Sequence, residues 1–533
     1  MTTGSLQSPA SPPIHSDVCL DVPAENAPPT LPSLDPDNRS LIDKVPLISP
    51  HRATAIIERA TDAQRAWQRR PLEARIERVH KLFDHILSHR TEILDQVSRE
   101  TGKNGLEARR ELMHTLDDIT HQLRHAPAHL GPAQHTPLRP RPSSRTSRTP
   151  RGVVLIIANG FAPLYSTLAP AAAALMSGNA AIVVGNHHAP LTTQYLGQLA
   201  HQAGVADDLW QTVCGERRLV DALADRADAI ASYSSAMNTR RIARRQGERM
   251  IPIVGRWPTD DLLLVLADAD LEQAAHAAVD AACGGAGRRL RSLRRIYIQN
   301  AIHDAFVDHV VEAIGTLRAS AADDAPLPGV GPLFEQSEVN AIQDLVDDAT
   351  DSGARLVAGG HPHGRSRGYY YTPTVLTQVD ESMRIWRESA PGPVVAISSI
   401  QAPADALERC RLADQASALS IFTNQPEIAH QLADFASTPA VSINHILHFL
   451  PPQTPPLATG SQGCPDPLGA HRLSAFTRQS VVLQKSPAQL SDWLPPGSHH
   501  HLQRALDTAM TLLEKKRHLR RHLKSLWPLS SSP

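Results

Sequence analysis

The stretch Ala281–Ile298, AACGGAGRRLRSLRRIYI, decides how this chain is read. A helix rich in small residues enters it from Leu271, and the apolar strand Ile296-Tyr297-Ile298 leaves it. A short turn between helix and strand exposes a side chain on a rigid scaffold, which is where an enzyme presents a nucleophile. Here the turn centres on Leu290 among Arg288, Arg289, Arg291, Arg294 and Arg295, and Ser292 follows two residues later. At this level the arginines admit three readings: a solvated loop, a pocket for an anionic ligand, or charges compensated by buried acids.

Outward from this stretch the pattern alternates. The run Gly152-Val153-Val154-Leu155-Ile156-Ile157 is mostly β-branched and continuous, as in a strand buried on both faces. A helix over 169–176, the stop Ser177-Gly178-Asn179 and a strand over 180–184 complete a β-α-β unit with a right-handed crossover. Helices over 192–203, 219–224 and 239–245 alternate with strands over 210–213 and 229–231. Beyond Pro258 come a strand over 262–266, a helix opened by Asp268-Ala269-Asp270-Leu271, the quoted stretch, helices over 303–317 and 336–352, and a strand over 354–358. Such alternation predicts open parallel sheets with helices on both faces and a ligand site at the carboxyl ends of the strands. Between Arg52 and Gln122, Trp67, Leu72, Ile76, Val79, Leu82 and Ile86 recur at helical steps and predict two long amphipathic helices. Residues 1–45, rich in Pro, Ser, Asp and Asn, read as a flexible extension. The basic helix Gln503–Leu526, with Leu512, Leu513, Leu519 and Leu523, can dock on an acidic surface or a membrane, and packing on its own protein is the preferred reading.

The 533 residues suffice for two or three domains, with Ala, Leu and Val filling the interior because Phe, Tyr and Trp reach only 4%. A net charge of −1 gives no pull towards nucleic acid or anionic membrane. Five scattered cysteines without a C-x-x-C pair fit neither a disulfide framework nor a zinc site and point to a reducing, cytoplasmic location. No apolar run is long enough to span a bilayer, and the dispersed histidines, His499-His500-His501 included, read as surface or core residues with no metal site.

Several short motifs stand together. Glu100-Thr101-Gly102-Lys103, Asp268-Ala269-Asp270-Leu271, Tyr371-Thr372-Pro373-Thr374-Val375-Leu376, Gly392-Pro393-Val394-Val395 and the frame from Gly287 to Arg295-Ile296-Tyr297-Ile298 resemble the aldehyde dehydrogenase superfamily, best its succinate-semialdehyde branch, over about residues 50–490. The resemblance implies an α/β chain with two doubly wound α/β domains plus a small β bridging or oligomerisation arm. Residues 46–124 and 151–257 then form a dinucleotide-binding-type domain, and 258–439 a catalytic-type domain. Residues 125–150 and 440–485 form the bridging segment, and 486–533 a basic helical extension.

In that family a Cys attacks the aldehyde, an Asn side chain helps stabilise the oxyanion, hydride passes to NAD(P)+, and a Glu activates water. Laid on this chain without gaps, the Cys corresponds to Leu290, the Glu to Arg256 and the Asn to Phe161. Leucine has no nucleophilic atom, and arginine stays protonated and takes no proton from water. Asn159, two residues before Phe161, reaches the site only if the turn shifts. The cofactor positions, which imply NAD or NADP, carry Val184 for the ribose-binding Lys, with His187 close behind. Ser235 stands in the pyrophosphate turn, and Ser389 replaces the Glu that grips the nicotinamide ribose, with Glu388 one step away. The glycine-rich loop near the C-terminus has become Pro456–Cys464.

The resemblance with its chemistry replaced implies a catalytically silent binding, regulatory or assembly protein, as a homo-oligomer or with an active paralogue. A small anionic ligand at Arg256 and Arg289 is the expected electrostatic partner. The rival is an active NAD(P)-dependent semialdehyde dehydrogenase with a relocated nucleophile such as Cys283 or Cys214, and a third reading is another anion-handling reaction in the same cleft. Cys283, inside a small-residue helix, reads as a buried packing residue.

Overall fold

The computed structural model describes residues 29–135, 143–257, 259–317, 329–363, 367–388, 392–405, 418–436, 438–455 and 467–484, with residue 408 and part of 500–515. In chain order the elements are β1 (Thr30–Leu34), β2 (Leu41–Pro46), α1 (Ala53–Trp67), α2 (Leu72–Ser88), α3 (Arg90–Thr101), α4 (Gly105–Leu130), β3 (Ala133–His135) and β4 (Ser143–Pro150). Next come β5 (Val153–Ile157), α5 (Pro163–Met176), β6 (Ala180–Val184), α6 (Pro190–Gln202), β7 (Trp210–Val213), α7 (Arg217–Ala224), β8 (Ala229–Ser232), α8 (Ala236–Gln246) and β9 (Ile253–Gly255). The remainder is β10 (Thr259–Val265), α9 (Leu271–Cys283), β11 (Arg291–Gln299), α10 (His303–Gly315), α11 (Gln336–Asp351), β12 (Arg355–Ala358), β13 (Thr374–Thr377), α12 (Arg384–Arg387), β14 (Val394–Ile400), β15 (Leu419–Phe422), α13 (Pro426–Phe435), β16 (Val441–Ile443), α14 (Gly469–Ala475) and β17 (Thr477–Gln484).

The α/β class stands, with two doubly wound sheets. One is parallel throughout, in the order β7-β6-β5-β8-β9. The other runs β12-β13-β14-β11-β10-β15-β16, parallel except for β12, which pairs antiparallel at one edge. Each sheet has its own core. In the first, every residue of β5, β6 and α5 is buried, and the alanines of α5 let the helix lie close on the strands. The second centres on Leu262–Leu266, Ile296–Ile298 and Val394–Ile397. A three-stranded sheet, β17-β4-β3, falls in a second contact unit of residues 131–148 and 479–533. No helix among the described residues is long and apolar enough to cross a membrane.

Five expectations change. Thr30–Leu34 and Leu41–Pro46 form an antiparallel hairpin where a flexible extension was expected. Val45 is buried there and Ser33 donates to the buried Glu100 at 2.7 Å, so few apolar residues suffice; residues 1–28 lie outside the described residues. The two long helices are four, because Pro71 stops the first turn run and Gly102, at φ 69°, ends α3. Helix α4 continues to Leu130, past the expected start of the bridge at 125, since Ala126 and Leu130 pack into the first core. Val441–Ile443 is an edge strand of the second sheet, and Leu468, Ala470, Leu473 and Phe476 belong to the first core, so these described residues of the expected bridge pack with the two large sheets. In the tail, Met510 and Leu512 lie on helical residues yet stay 55% and 62% exposed, against the expected packing; Leu513, Leu519 and Leu523 lie outside the described residues.

Candidate functional site

In the first sheet the chain order reverses between β5 and β8, and a crevice for a ligand opens at such a switch point. This one is stitched shut by Asn159. Its Nδ2 donates to the Tyr233 carbonyl beyond β8 at 2.9 Å, while Oδ1 accepts the N–H groups of Phe161 and Ala162 at 2.8 Å each. The amide holds the turn through Oδ1 and one Nδ2–H bond.

Open N–H groups at helix N-termini bind anions, and here the chain supplies its own. Glu111 Oε1 accepts from Leu164 N at 2.7 Å and Tyr165 N at 3.1 Å at the start of α5, and the carboxylate pairs with Lys103. Glu100 accepts from Leu191 N, Thr192 N and Thr192 Oγ1 at 2.7–2.8 Å at the start of α6. Burial raises the Glu100 carboxyl against the pull of those bonds. At the start of α8, Ser235 Oγ accepts from Asn238 N at 3.3 Å, and the hydroxyls of Ser232, Ser234 and Thr239 interlink behind it. Val184 is a buried apolar residue at the end of β6. Val184 offers no ribose-binding lysine, whereas at the start of α8, the turn that carries Ser235, the cap is a serine hydroxyl and not a carboxylate. Ser389 and Pro456–Cys464 lie outside the described residues, and Glu388 is held by Arg384 at 2.8 and 3.0 Å.

Between α9 and β11 the chain turns through Gly284–Gly287 with φ +60° at Gly285 and +67° at Gly287. A Cβ on Gly285 would stand 2.4 Å from the Phe161 ring, and one on Gly287 would stand 2.1 Å from the Gly392 carbonyl oxygen, so this close packing needs both glycines. Arg288 and Arg289 lie in the turn, but Arg291, Arg294 and Arg295 do not: β11 begins at Arg291 and is buried between β10 and β14. All five arginines are 3–8% exposed. Arg289 grips Glu107 with two bonds, Nε to Oε2 at 2.8 Å and Nη2 to Oε1 at 2.5 Å, and reaches the Asp280 carbonyl at 2.8 Å and its carboxylate at 3.2 Å. His448 closes the group, accepting from Arg289 at Nδ1 (3.3 Å) and meeting Asp280 through Nε2 at 3.1 Å. Burial pushes the Glu107 and Asp280 carboxyls up, but Arg289, with His448 at Asp280, outweighs it and holds both below the usual carboxylate range. Arg291 meets Asp261 at 3.2 Å, and Arg294 donates to the Gly287 and Gly392 carbonyls at 3.0 and 3.3 Å. Buried acids and carbonyls thus engage Arg288, Arg289, Arg291 and Arg294, and the expected anion pocket around Arg289 is corrected: its donors are already taken. Leu290 is 8% exposed and packs with the first core, its carbonyl accepting from Thr259 N at 3.2 Å.

Phe161 is likewise built in. The Lys103 ammonium lies 4.4 Å above its ring, and the Arg288 guanidinium sits 4.6 Å from it and 4.0 Å from Phe334. Phe334 stacks on His188 at 4.2 Å with 2° between planes, and His188 lies 3.8 Å from His187. One ladder of rings and cations therefore runs from Phe161 to His187. Burial, with His187 and Arg288 nearby, holds His188 down to about 3, and burial lowers His187. Arg288 also donates to the Thr101 and Pro332 carbonyls at 3.1 and 2.5 Å.

Arg256, between β9 and β10, is half-buried and electrostatically coupled to His114, whose ring is sandwiched between Tyr165 at 4.7 Å and Phe449 at 4.1 Å. Burial and those arginines hold His114 down to about 4. Cys283 is 1% exposed, its thiol pushed up to about 12 by burial and Asp280; Cys214, 5% exposed, is pushed up to about 11 by burial and Glu100. Neither is a thiolate at neutral pH. Sequence reasoning overlooked Glu107, Glu111 and Asp118, although their spacing puts three acids on the buried face of α4. That spacing was the available signal, and Phe334 carried none.

A model described as the aldehyde dehydrogenase family matches residues 23–481. The chain is 27% identical over 444 residues, 82% of its length and 85% of the relative's, to a Mycolicibacterium smegmatis protein named "Putative succinate-semialdehyde dehydrogenase (NADP+)". It is 29% identical over 427 residues to an aldehyde dehydrogenase of Paenarthrobacter nicotinovorans, covering 79% of this chain and 92% of that one. Among solved structures, the NADP complex of NADP-dependent glyceraldehyde-3-phosphate dehydrogenase from Bacillus halodurans superposes with TM-score 0.80 at 25% identity, over 86% of this chain and 96% of that one. The NAD+ complex of a Mycobacterium tuberculosis aldehyde dehydrogenase does so with TM-score 0.81 at 22% identity, over 87% and 96%.

Proposed function

From the premise that the chain belongs to the aldehyde dehydrogenase family, we propose that it is a catalytically silent member acting in binding, regulation or assembly. The observation that supports it is that the described cysteines able to stand in for a nucleophile, Cys283 and Cys214, are buried with thiols pushed up to about 12 and 11, while the resemblance puts Leu290, Arg256 and Phe161 at the three chemical positions. Weak or absent binding of NAD+ and NADP+ goes with it, because Val184 and Ser389 stand where the resemblance puts the two ribose-binding side chains. Residues 46–124 with 151–257, and 258–439, are proposed as the two lobes, and the cytoplasm as the location. Association is expected through β17, an edge strand on which Val481, Val482 and Leu483 are 56–69% exposed, in a homo-oligomer or with an active paralogue.

The second reading, an active NAD(P)-dependent oxidation of an aldehyde such as succinate semialdehyde with a relocated nucleophile, draws on the names of the relatives. Calorimetric titration with NAD+ and NADP+, followed by an NAD(P)H fluorescence assay with succinate semialdehyde, separates the two. No turnover fits the silent protein, whether or not nucleotide binds; turnover lost in Cys283→Ala or Cys214→Ala establishes the enzyme.

A further inference from the structure

Helix α4 carries imidazoles four residues apart, His121, His125 and His129, and α14 lays His471 beside the last of them. Ring centroids lie 4.3 Å apart for His121 and His125, 6.4 Å for His125 and His129, and 6.0 Å for His129 and His471. All four are half-buried, so protons reach them. The proposed function uses none of them. Among the described residues no three His, Cys, Asp or Glu side chains are placed to hold a metal ion.

His121 performs a task open only to a neutral ring. Its Nδ1 accepts the N–H of Ala470 at 3.1 Å, and Asp118 Oδ1 accepts the N–H of Gly469 at 3.0 Å, so the two side chains hold the opening turn of α14 on α4. A ring accepting at Nδ1 carries its proton on Nε2. Contact is close, since a Cβ on Gly469 would stand 2.3 Å from that Nδ1. A second proton turns Nδ1 into a donor facing a donor and sets a charge 4.3 Å from the His125 ring.

The other charged groups at the junction are accounted for. Asp118 also takes Gln122 Nε2 at 2.7 Å and Tyr165 OH at 3.2 Å, and lies 3.4 Å from Arg472, which in turn donates to Tyr165 OH at 2.8 Å and the Pro467 carbonyl at 3.0 Å. Asp117, one turn before His121, is exposed. Burial and the imidazoles of His125, His129 and His471 hold His121 below the ordinary histidine value, against the pull of Asp118.

We propose that His121, with His125, His129 and His471 around it, is an acid-sensitive clasp that releases the first turn of α14 from α4 when it is protonated. A group whose value is depressed in the clasped state takes its proton more readily once released. The clasp therefore holds above the ordinary histidine value of 6.5 and opens as pH falls below it.

Hydrogen exchange of the peptide covering 467–476 in the full-length protein, corrected for the intrinsic pH dependence of exchange, tests this. Protection is expected to fall between pH 7.5 and 5.5, by up to about tenfold, the limit set by one proton taken up on release. His121→Asn, whose Oδ1 falls near the position of the imidazole Nδ1 and does not titrate, should hold protection within about twofold over that range. A triple variant, His125→Gln with His129→Gln and His471→Gln, keeps His121 and should lose less protection over that range, because relieving repulsion brings the clasped value closer to the released one. Unchanged protection in the parent, the same loss in His121→Asn, or a loss in the triple variant as large as the parent's overturns the clasp.

Discussion

Replacing Arg289 by methionine removes the centre of the buried ion network while keeping most of the volume. Glu107, 6% exposed at its side chain, loses two bonds at 2.8 and 2.5 Å, and Asp280 loses the guanidinium 3.2 Å away; Arg110, at 3.0 and 3.2 Å from the two carboxylates, remains. Breaking a buried pair by deleting one partner costs about 3–5 kcal/mol, mostly as the penalty of the carboxylate left behind. Unfolding entropy of about 2.1 cal/mol/K per residue makes that a fall of about 3–5 °C in the unfolding temperature of a chain this long. Calorimetry and urea titration of Arg289→Met, Glu107→Gln and the double variant form the assay. The double variant should recover at least about 2 kcal/mol relative to the sum of the singles, because the two residues act as one unit. The pH dependence carries the same sign. Carboxyls held below their unfolded values stabilise the fold above the ordinary carboxylate range, and that contribution is lost as pH falls through their depressed values, so Arg289→Met should flatten the acid limb. A loss below about 1 kcal/mol, or strict additivity, refutes the reasoning and returns Arg289 to service as a ligand arginine.

Leu290→Cys alone should yield no NAD(P)H from succinate semialdehyde, since Arg256 takes no proton from water and Phe161 donates no hydrogen bond; measurable turnover sinks that expectation. Native Cys283 should react with iodoacetamide about a thousandfold more slowly than an ordinary thiol, as its thiol is pushed from 9.0 to about 12; site-resolved mass spectrometry at pH 8 reads it, and rapid labelling would contradict the buried assignment. His188, held down to about 3, draws stability away as pH falls below the unfolded value of 6.5, so His188→Phe, which keeps a ring against Phe334, should lessen the drop in urea midpoint between about pH 7.5 and 5. An unchanged drop would place that acid sensitivity elsewhere.

The sheets were legible in the sequence because strands buried on both faces leave a local mark. Val153–Ile157 and Ala180–Val184 could be drawn nearly to the residue from their continuous apolar runs. The family frame, and the absence of a nucleophile at Leu290 within it, were equally readable, since residue identity at a motif position needs no coordinates. Helix count was less so: one apolar period ran through Arg52–Gln122, and only packing showed where the chain folds back. The hairpin at 30–46 escaped because its stability comes from one buried valine and a bond to Glu100 across 67 residues, not from its own composition.

The fate of the arginines lay beyond the sequence altogether. A guanidinium reads the same whether it faces water, a ligand or an acid, and its energy depends on what stands within a few ångströms. Glu107 lies 182 residues from Arg289 and Phe334 lies 146 from His188, and only the fold brings each pair into contact. The sequence by itself determined the sheets, the family and the residue type that stands at each motif position. The tertiary structure decided how the arginines are used, because burial makes an unpaired charge costly, and Arg288, Arg289, Arg291 and Arg294 each meet a carboxylate, a carbonyl or a ring face.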